Sequence, residues 1–203
     1  ETYFTNLLQG QASTPYPQSI HANRSGLGIH ETTFSSGPTI KFCRQHQVTE
    51  SNFFLTAFMQ ILHRITREET VLITTATHGR SQVDQSDAMG MFVRTLPMVS
   101  RQQADQHFSE AVQAMQGQML ATMAREQYPF TALGIHPQVM YVYQGGVFDH
   151  IRMNHATVTA LANDTAIVPL TIHVSPQAEG YALRMEYDAA LYTEADMVQL
   201  SAM

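Results

Sequence analysis

The pattern of apolar and polar positions predicts two long amphipathic helices flanking a buried strand. After Thr49, a good N-cap residue, apolar side chains recur at helical spacing along one face as far as Ile65. Residues 71–77 are almost continuously apolar and β-branched, which predicts a strand buried on both faces. We expect Ser100 to cap the second long helix. The buried side of that helix carries three methionines, Met115, Met119 and Met123.

The C-terminal third follows the period of a β-strand. Residues 167–174 and 181–188 alternate apolar with polar, which predicts an antiparallel hairpin with one solvated face. Thr193 and Asp196 form a capping box that predicts a final helix. Further elements are expected as the end of a helix at 1–9, a strand at 29–34, a short helix at 39–46, and strands at 91–98 and 138–144. The order β, α, α, β, β, α, β, β, β, α from residue 29 predicts an α/β fold, a mixed β-sheet with helices packed on it.

Composition narrows the class of protein. The chain has 203 residues, 44% of them hydrophobic and 14% charged, which suits one folded domain or lobe. The net charge is -6 and Lys41 is the only lysine, so a nucleic-acid partner is disfavoured. No segment has the length of a membrane span or the pattern of a signal peptide, which predicts a cytoplasmic protein without a membrane partner. The single cysteine, Cys43, is expected to be a buried, inert thiol.

Common catalytic and metal motifs do not occur in the sequence. There is no phosphate-binding loop, no GxSxG nucleophile elbow and no HExxH, and one cysteine excludes thiolate-rich zinc sites. None of the ten histidines has an Asp four residues later, the context in which histidine-based acyltransferases often set their base. We expect His63 to lie on the polar, solvated side of its helix and His173 on the solvated face of the hairpin. The sequence therefore predicts no catalytic base and no metal site.

One loop stands out as a functional candidate. His78, Gly79, Arg80 and Ser81 follow directly on the predicted buried strand, where loops commonly carry function. Arg80 can hold a carboxylate or a phosphate, or it can form a structural ion pair with an aspartate of the same loop. The candidate aspartates are Asp84 and Asp87.

Six segments, in order along residues 30–200, match the motifs of one protein family. NFFLTAFMQIL, VLITTATHGRS and MGMFVRTLP stand at 52–62, 71–81 and 89–97; EQYPF, QVMYV and a terminal hairpin stand at 126–130, 138–142 and 170–191. The third and fourth segments resemble GxFVNTxP and (H/N)QDxPFE. In this order and spacing they resemble the condensation domains of nonribosomal peptide synthetases.

The resemblance implies a particular place in a larger catalyst. The chain would be the C-terminal lobe (1–203) of the two-lobed chloramphenicol-acetyltransferase-like fold, with 1–28 as a connecting segment and 29–203 as the lobe core. The N-terminal lobe would carry the catalytic HHxxxDG, which this sequence does not contain. Such domains form amide bonds between aminoacyl or peptidyl thioesters held on the phosphopantetheine arms of donor and acceptor carrier proteins. The chain would bind no cofactor directly and would be inactive alone, and we expect both of its ends to be cuts in a longer polypeptide.

The resemblance also assigns regions of the site. Residues 78–95 would form the floor loop of the substrate tunnel, and part of 145–170 would form the latch. Two residues depart from the family pattern: Arg94 replaces an Asn, and Pro169 replaces an Asp, which predicts an edge or bulge position there. Candidate floor-loop residues are His78, Gly79, Arg80, Ser81, Gly90, Phe92, Arg94 and Thr95, and candidate motif residues are Gln127, Pro129 and Phe130.

Other functions within this superfamily stay open. The FVRTLP segment favours ordinary condensation over starter acylation, heterocyclisation or epimerisation. A non-catalytic condensation-like lobe that recruits carrier or tailoring proteins is one alternative. A free-standing acyltransferase that uses coenzyme A is the other.

Overall fold

The computed structural model describes residues 1–80, 89–103, 105–145 and 165–203. They form two compact units, unit 1 (1–17 and 39–141) and unit 2 (18–38 and 142–203). The helices are α1 Thr2–Leu8, α2 Gly37–His46, α3 Glu50–Thr66, α4 Phe108–Met123 and α5 Glu194–Ser201. The strands are β1 Leu27–Ser35, β2 Thr70–Thr77, β3 Arg94–Arg101, β4 Val139–Tyr143, β5 Leu170–Gln177 and β6 Gly180–Asp188.

Unit 1 is built around β2, which is buried from Val71 to Thr75. This strand pairs antiparallel with β3 and parallel with β4, so the predicted mixed sheet is confirmed. Helix α3 packs on β2 and α4 packs on β3. The continuous apolar run in the sequence therefore marks the centre of the sheet, where no position can face water.

Helix α3 begins where its cap predicts. The Oγ1 atom of Thr49 accepts a hydrogen bond from the backbone N–H of Asn52 at 3.2 Å. The Thr49 backbone N–H in turn donates to the side chain of Gln116 on α4 at 2.8 Å. Nearby, Cys43 of α2 is buried as predicted, and burial, with a smaller effect of Glu50, raises the pKa of its thiol. A raised thiol pKa disfavours the reactive thiolate.

The predicted start of the second long helix is wrong. Helix α4 begins after His107, whose backbone N–H donates to the Glu110 side chain at 3.0 Å. Ser100 instead lies in β3, opposite Val71 of β2. The antiparallel pairing of β3 with β2 continues to Arg101, so Ser100 is still part of the strand. The strand predicted at 91–98 is accordingly displaced to 94–101.

Unit 2 contains a three-stranded antiparallel arrangement with β6 between β1 and β5. The hairpin from β5 to β6 closes between Gln177 and Gly180, which confirms its prediction. One face carries apolar side chains, among them Leu170, Ile172 and Met185, all of which are buried. The opposite face carries half-exposed polar side chains, as predicted from the period of two.

The ends of the unit 2 elements follow local rules. Helix α5 packs on β1 and begins with the predicted capping box, in which the Thr193 side chain accepts from the Asp196 N–H at 3.3 Å. Burial alone would raise the pKa of the Asp196 carboxyl, but hydrogen bonds from Thr193 and Ser19, together with attraction to His21, outweigh it and the pKa is lowered. Pro169 lies one residue before β5, and its carbonyl accepts from the Asp188 N–H at 2.9 Å. The missing N–H of proline thus falls outside the ladder.

Within the described ranges, no helix combines the length and the apolar character that crossing a membrane requires.

Candidate functional site

The loop that follows β2 folds back on itself. The exposed His78 uses its Nδ1 atom to accept a hydrogen bond from the backbone N–H of Arg80 at 2.9 Å. In a neutral imidazole the hydrogen is then on Nε2, which faces away from this contact. His78 therefore acts here as a turn-forming side chain.

Gly79 is required by the close approach of a second segment. Its φ is 65°, and a Cβ atom at this position would lie 1.7 Å from the carbonyl oxygen of Phe92. The same Cβ would lie 3.0 Å from the Cγ atom of Arg94. Only glycine combines this left-handed backbone with the space available. The structure thus brings residues 78–80 against residues 92–94, two parts of the predicted floor loop.

Arg80 and Phe92 hold these two segments together. The guanidinium carbon of Arg80 lies 4.1 Å from the centroid of the Phe92 ring, a cation–π contact. Gly90, with a φ of 152°, lies beside the same ring. The alternative ion pair of Arg80 with Asp84 or Asp87 falls on residues outside the described ranges, as does Ser81.

Arg94 and Thr95 open β3 opposite the end of β2. Arg94 pairs with Thr77 and Thr95 pairs with Ala76. The Arg94 side chain is exposed and Thr95 is half-buried. Two methionines just before this strand are almost fully exposed, Met89 at 99% and Met91 at 91%. The described part of the predicted floor loop therefore combines two arginines with an exposed apolar surface.

Glu126 of the EQYPF motif contacts the end of β2, next to the loop at residues 78–80. This side chain is only 2% exposed, and its Oε2 atom accepts a hydrogen bond from Thr77 Oγ1 at 3.0 Å. The predicted motif residues are less embedded, since Gln127 and Pro129 are exposed and Phe130 is half-buried.

Sequence reasoning missed Glu126 as a site residue. The carboxylate stands inside the matched motif, but a single acidic residue between a helix and a proline gives no periodic signal of burial. A charged side chain is almost never fully buried without partners, so only the fold distinguishes it from a surface residue.

Residues 78–80 and 89–95 present two guanidinium groups, an imidazole and apolar side chains. In the described part of the chain no group of three or more His, Cys, Asp or Glu could hold a metal ion. The predicted latch falls largely on residues 146–164, which lie outside the described ranges.

Comparison with known proteins gives the family. The family model described as "Condensation domain" matches residues 5–203. The chain belongs to the condensation-domain family. Tyrocidine synthase 3 of Brevibacillus parabrevis is 23% identical over 190 residues, covering 86% of this chain and 3% of that protein.

Solved structures support the condensation-domain fold. The X-domain from teicoplanin biosynthesis superposes with a TM-score of 0.84 at 18% identity, covering 99% of this chain and 51% of that one. An X-domain from the same pathway has also been solved in complex with OxyB (TM-score 0.79, 17% identity, 99% and 50% covered). The first condensation domain of the calcium-dependent antibiotic synthetase gives a TM-score of 0.72 at 15% identity, covering 99% and 47%.

The chain matches only a part of each of these proteins. The chain spans about half the length of these solved chains. It spans only 3–4% of the length of the first curated relatives. The predicted fold class, a mixed β-sheet with helices packed on it as in the chloramphenicol-acetyltransferase-like fold, is confirmed.

Proposed function

We propose that this chain is the C-terminal lobe of a condensation domain and contributes to amide-bond formation in nonribosomal peptide synthesis. The reaction joins aminoacyl or peptidyl thioesters carried on the phosphopantetheine arms of donor and acceptor carrier proteins. The observation that carries the proposal is the family match from residue 5 to residue 203, which includes all six motif segments. The N-terminal lobe, the two carrier proteins and a cytoplasmic location belong to the same proposal.

The geometry of the loop at residues 78–80 favours a positioning role over a direct role in the chemical step. His78 accepts a hydrogen bond from the Arg80 backbone N–H, the Arg80 guanidinium lies over the Phe92 ring, and the sequence contains no HHxxxDG. Gly79, Arg80 and Phe92 instead fix one loop segment against another. We infer that the lobe shapes the tunnel floor, and that the base comes from the other lobe. Positioning of this kind matters because small displacements of bound reactants reduce rates strongly.

The test uses the complete condensation domain that contains this chain, with its two loaded carrier proteins. Arg80→Ala should lower the rate of amide formation roughly 10- to 100-fold, because the Phe92 contact that fixes the loop is lost. Arg64→Ala, which removes an exposed arginine of α3, is the matched control and should leave the rate unchanged. The 203-residue chain alone should yield no condensation product between loaded carriers.

Two results would contradict the proposal. Condensation product formed by the chain alone would show that the base lies within these 203 residues. Equal rates for Arg80→Ala and the unsubstituted domain would remove the positioning role of the loop, while leaving the condensation activity itself established.

A second function is favoured by one specific observation, the similarity to the X-domain. That protein has been solved in complex with OxyB, so one member of this fold binds a partner protein. By analogy this chain would belong to a non-catalytic lobe that recruits carrier or tailoring proteins. An assay of the complete domain separates the two functions, since a recruiting domain binds its partner protein and yields no amide product with the loaded donor and acceptor carriers.

A further inference from the structure

A serine and a histidine form a buried pair in unit 1, away from the loop described above. Ser100 of β3 is 9% exposed and His63 of α3 is 2% exposed. The Oγ atom of Ser100 lies 3.0 Å from Nε2 of His63. The Nδ1 atom of His63 lies 2.6 Å from the carbonyl oxygen of Glu68. The expectation that His63 is solvated is therefore wrong, because α3 turns this side chain towards β3.

These two contacts fix which ring nitrogen carries the hydrogen. A carbonyl oxygen only accepts hydrogen bonds, so Nδ1 of His63 must donate to Glu68. In the neutral imidazole Nε2 then holds the free lone pair, and the hydroxyl of Ser100 donates to it. The proton of Ser100 is thus directed at a base whose orientation is held by a third group. Activated serine nucleophiles in proteins have this arrangement.

Ser100 is also reachable from a cavity. A cavity of about 180 Å³ lies between α3, α4 and β3, and Ser100 lines it together with Thr56. Thr56 and His63 stand seven residues apart on α3 and so share one helix face. At about 30 Å³ per water molecule, this volume holds an acyl group of a few heavy atoms. The lining combines small apolar side chains (Ala111 and Ala114) with Arg101 and three amides (Gln103, Gln106 and Gln118).

We propose that Ser100 and His63 form a nucleophile–base pair that accepts a short acyl group from an activated ester or thioester. Ser100 Oγ forms a bond to the acyl carbon while its proton passes to His63 Nε2. The bond from that carbon to the leaving oxygen or sulfur breaks, and the leaving group takes the proton from Nε2. The products are a serine ester at position 100 and a free alcohol or thiol, so atoms and charge balance without an oxidant or a metal.

The Glu68 carbonyl, which orients the His63 ring, determines how fast Ser100 is expected to be acylated. Glu68 contributes a neutral carbonyl oxygen, which orients the ring but stabilises the imidazolium less than a carboxylate does. Acylation of Ser100 should therefore be slow compared with that of hydrolases with a complete triad. The amide of Gln118 already donates to the Val99 carbonyl at 2.9 Å. The amides of Gln103 and Gln106 also line the cavity and can donate to the oxyanion of the intermediate.

The experiment treats the 203-residue chain with p-nitrophenyl acetate and, separately, with a fluorophosphonate. Release of nitrophenolate is followed in time, and the modified residue is located by peptide mass spectrometry. We expect one acetyl group or one phosphonyl group on Ser100. Ser100→Ala should abolish this labelling, and His63→Gln should slow it about 100-fold or more, the usual contribution of a general base.

The matched control is Ser175→Ala, which removes a half-buried serine of β5 in unit 2 and should leave labelling at Ser100 unchanged. Circular dichroism and denaturant unfolding of each variant establish that it is folded. The labelling of the unsubstituted chain decides the matter even if a variant fails to fold. Absence of label on Ser100, label spread over exposed serines, or equal rates with a folded His63→Gln variant would each overturn the proposal.

Discussion

The two units of this molecule differ in how far their polar side chains are buried. Among the described residues, every buried polar or charged side chain other than tyrosine lies in unit 1. The ionic side chains of the unit 2 sheet instead lie on a half-exposed face, where Arg184 lies 2.8 Å from Glu31 and 2.9 Å from Glu186. The buried set of unit 1 is Thr14, Thr39, Asn52, Thr56, His63, Thr74, Thr75, Ser100, Thr122 and Glu126.

Several buried polar groups of unit 1 have well-defined partners, whereas the Oδ1 atom of Asn52 has no hydrogen-bond partner. The Oγ1 atom of Thr14 accepts from the Leu72 N–H at 3.0 Å, and Thr74 Oγ1 donates to the Val139 carbonyl at 3.2 Å. Thr56 Oγ1 donates to the Asn52 carbonyl at 2.7 Å. Away from water, a group that loses its partner bears its full desolvation penalty, whereas exposed groups exchange a partner for solvent. The same number of deleted hydrogen bonds should therefore destabilise unit 1 more than unit 2.

The largest effect is expected at Glu126. Glu126→Ala should lower the free energy of unfolding by about 2–3 kcal/mol, because Thr77 loses a charged acceptor in a buried setting. Glu126→Gln keeps a side-chain oxygen for Thr77 and should cost less. Glu179→Ala, at the exposed turn of the unit 2 hairpin, is the control and should stay within about 0.5 kcal/mol. Denaturant unfolding measures all three, and equal losses at Glu126 and Glu179 would break the contrast between the units.

Removing a helix cap should destabilise the two units by similar amounts. Thr49 caps α3 in unit 1 and Thr193 caps α5 in unit 2, each accepting from a backbone N–H three residues later. Thr49→Ala and Thr193→Ala should each cost about 1 kcal/mol, since both caps serve the ends of helices at the surface. Paired denaturation curves for the two variants test this. A difference well beyond 1 kcal/mol would show that location matters even for capping.

The caps also show what the sequence alone can predict. Thr49, Thr193 and the alternation of β5 and β6 are local signals, and each predicted element formed where expected. Serine is an equally good N-cap residue, but Ser100 lies in β3, because the pairing of β3 with β2 outweighs the local preference of serine for a helix N-cap. His63 occupies a polar position on α3, yet the strand beneath it supplies a partner. Long-range pairing of this kind leaves no mark on the spacing of residues.

The site could be predicted in part for the same reason. The motifs identified residues 78–80 and 90–95, and Gly79 and Phe92 are indeed in close contact. Glu126 was missed because its burial depends on the end of β2, which is 49 residues away in the sequence. The floor-loop and tunnel roles of these residues stay predictions, to be tested in the complete domain.

A smaller effect is expected for the surface network of unit 2. The side chain of Arg184 is 34% exposed and that of Glu31 is 61% exposed, so water screens their attraction. Arg184→Met, which keeps the apolar stem, should cost less than about 1 kcal/mol. The loss should shrink further in high salt because screening already weakens the pair. Unfolding at low and high ionic strength measures both, and a loss of 2 kcal/mol or more would place this face in the same class as the interior of unit 1.

The smallest effect concerns protonation of His173, which lies on β5 beside Arg184 and Glu186. Burial lowers the pKa of His173 below its ordinary value of 6.5, and Arg184 lowers it further, which together outweigh the attraction of Glu186. At a pH below 6.5, His173 is therefore protonated to a greater extent in the unfolded chain than in the folded chain. The free energy of unfolding should fall as the pH falls through this range. His173→Gln should flatten that part of the pH profile and leave stability at pH 8 nearly unchanged. Denaturant unfolding between pH 5 and pH 8, subtracting the variant from the unsubstituted chain, isolates this residue from the other nine histidines. A difference of the opposite sign would mean that Glu186, 3.8 Å from Nε2, dominates and that this face stabilises charge better than its burial indicates.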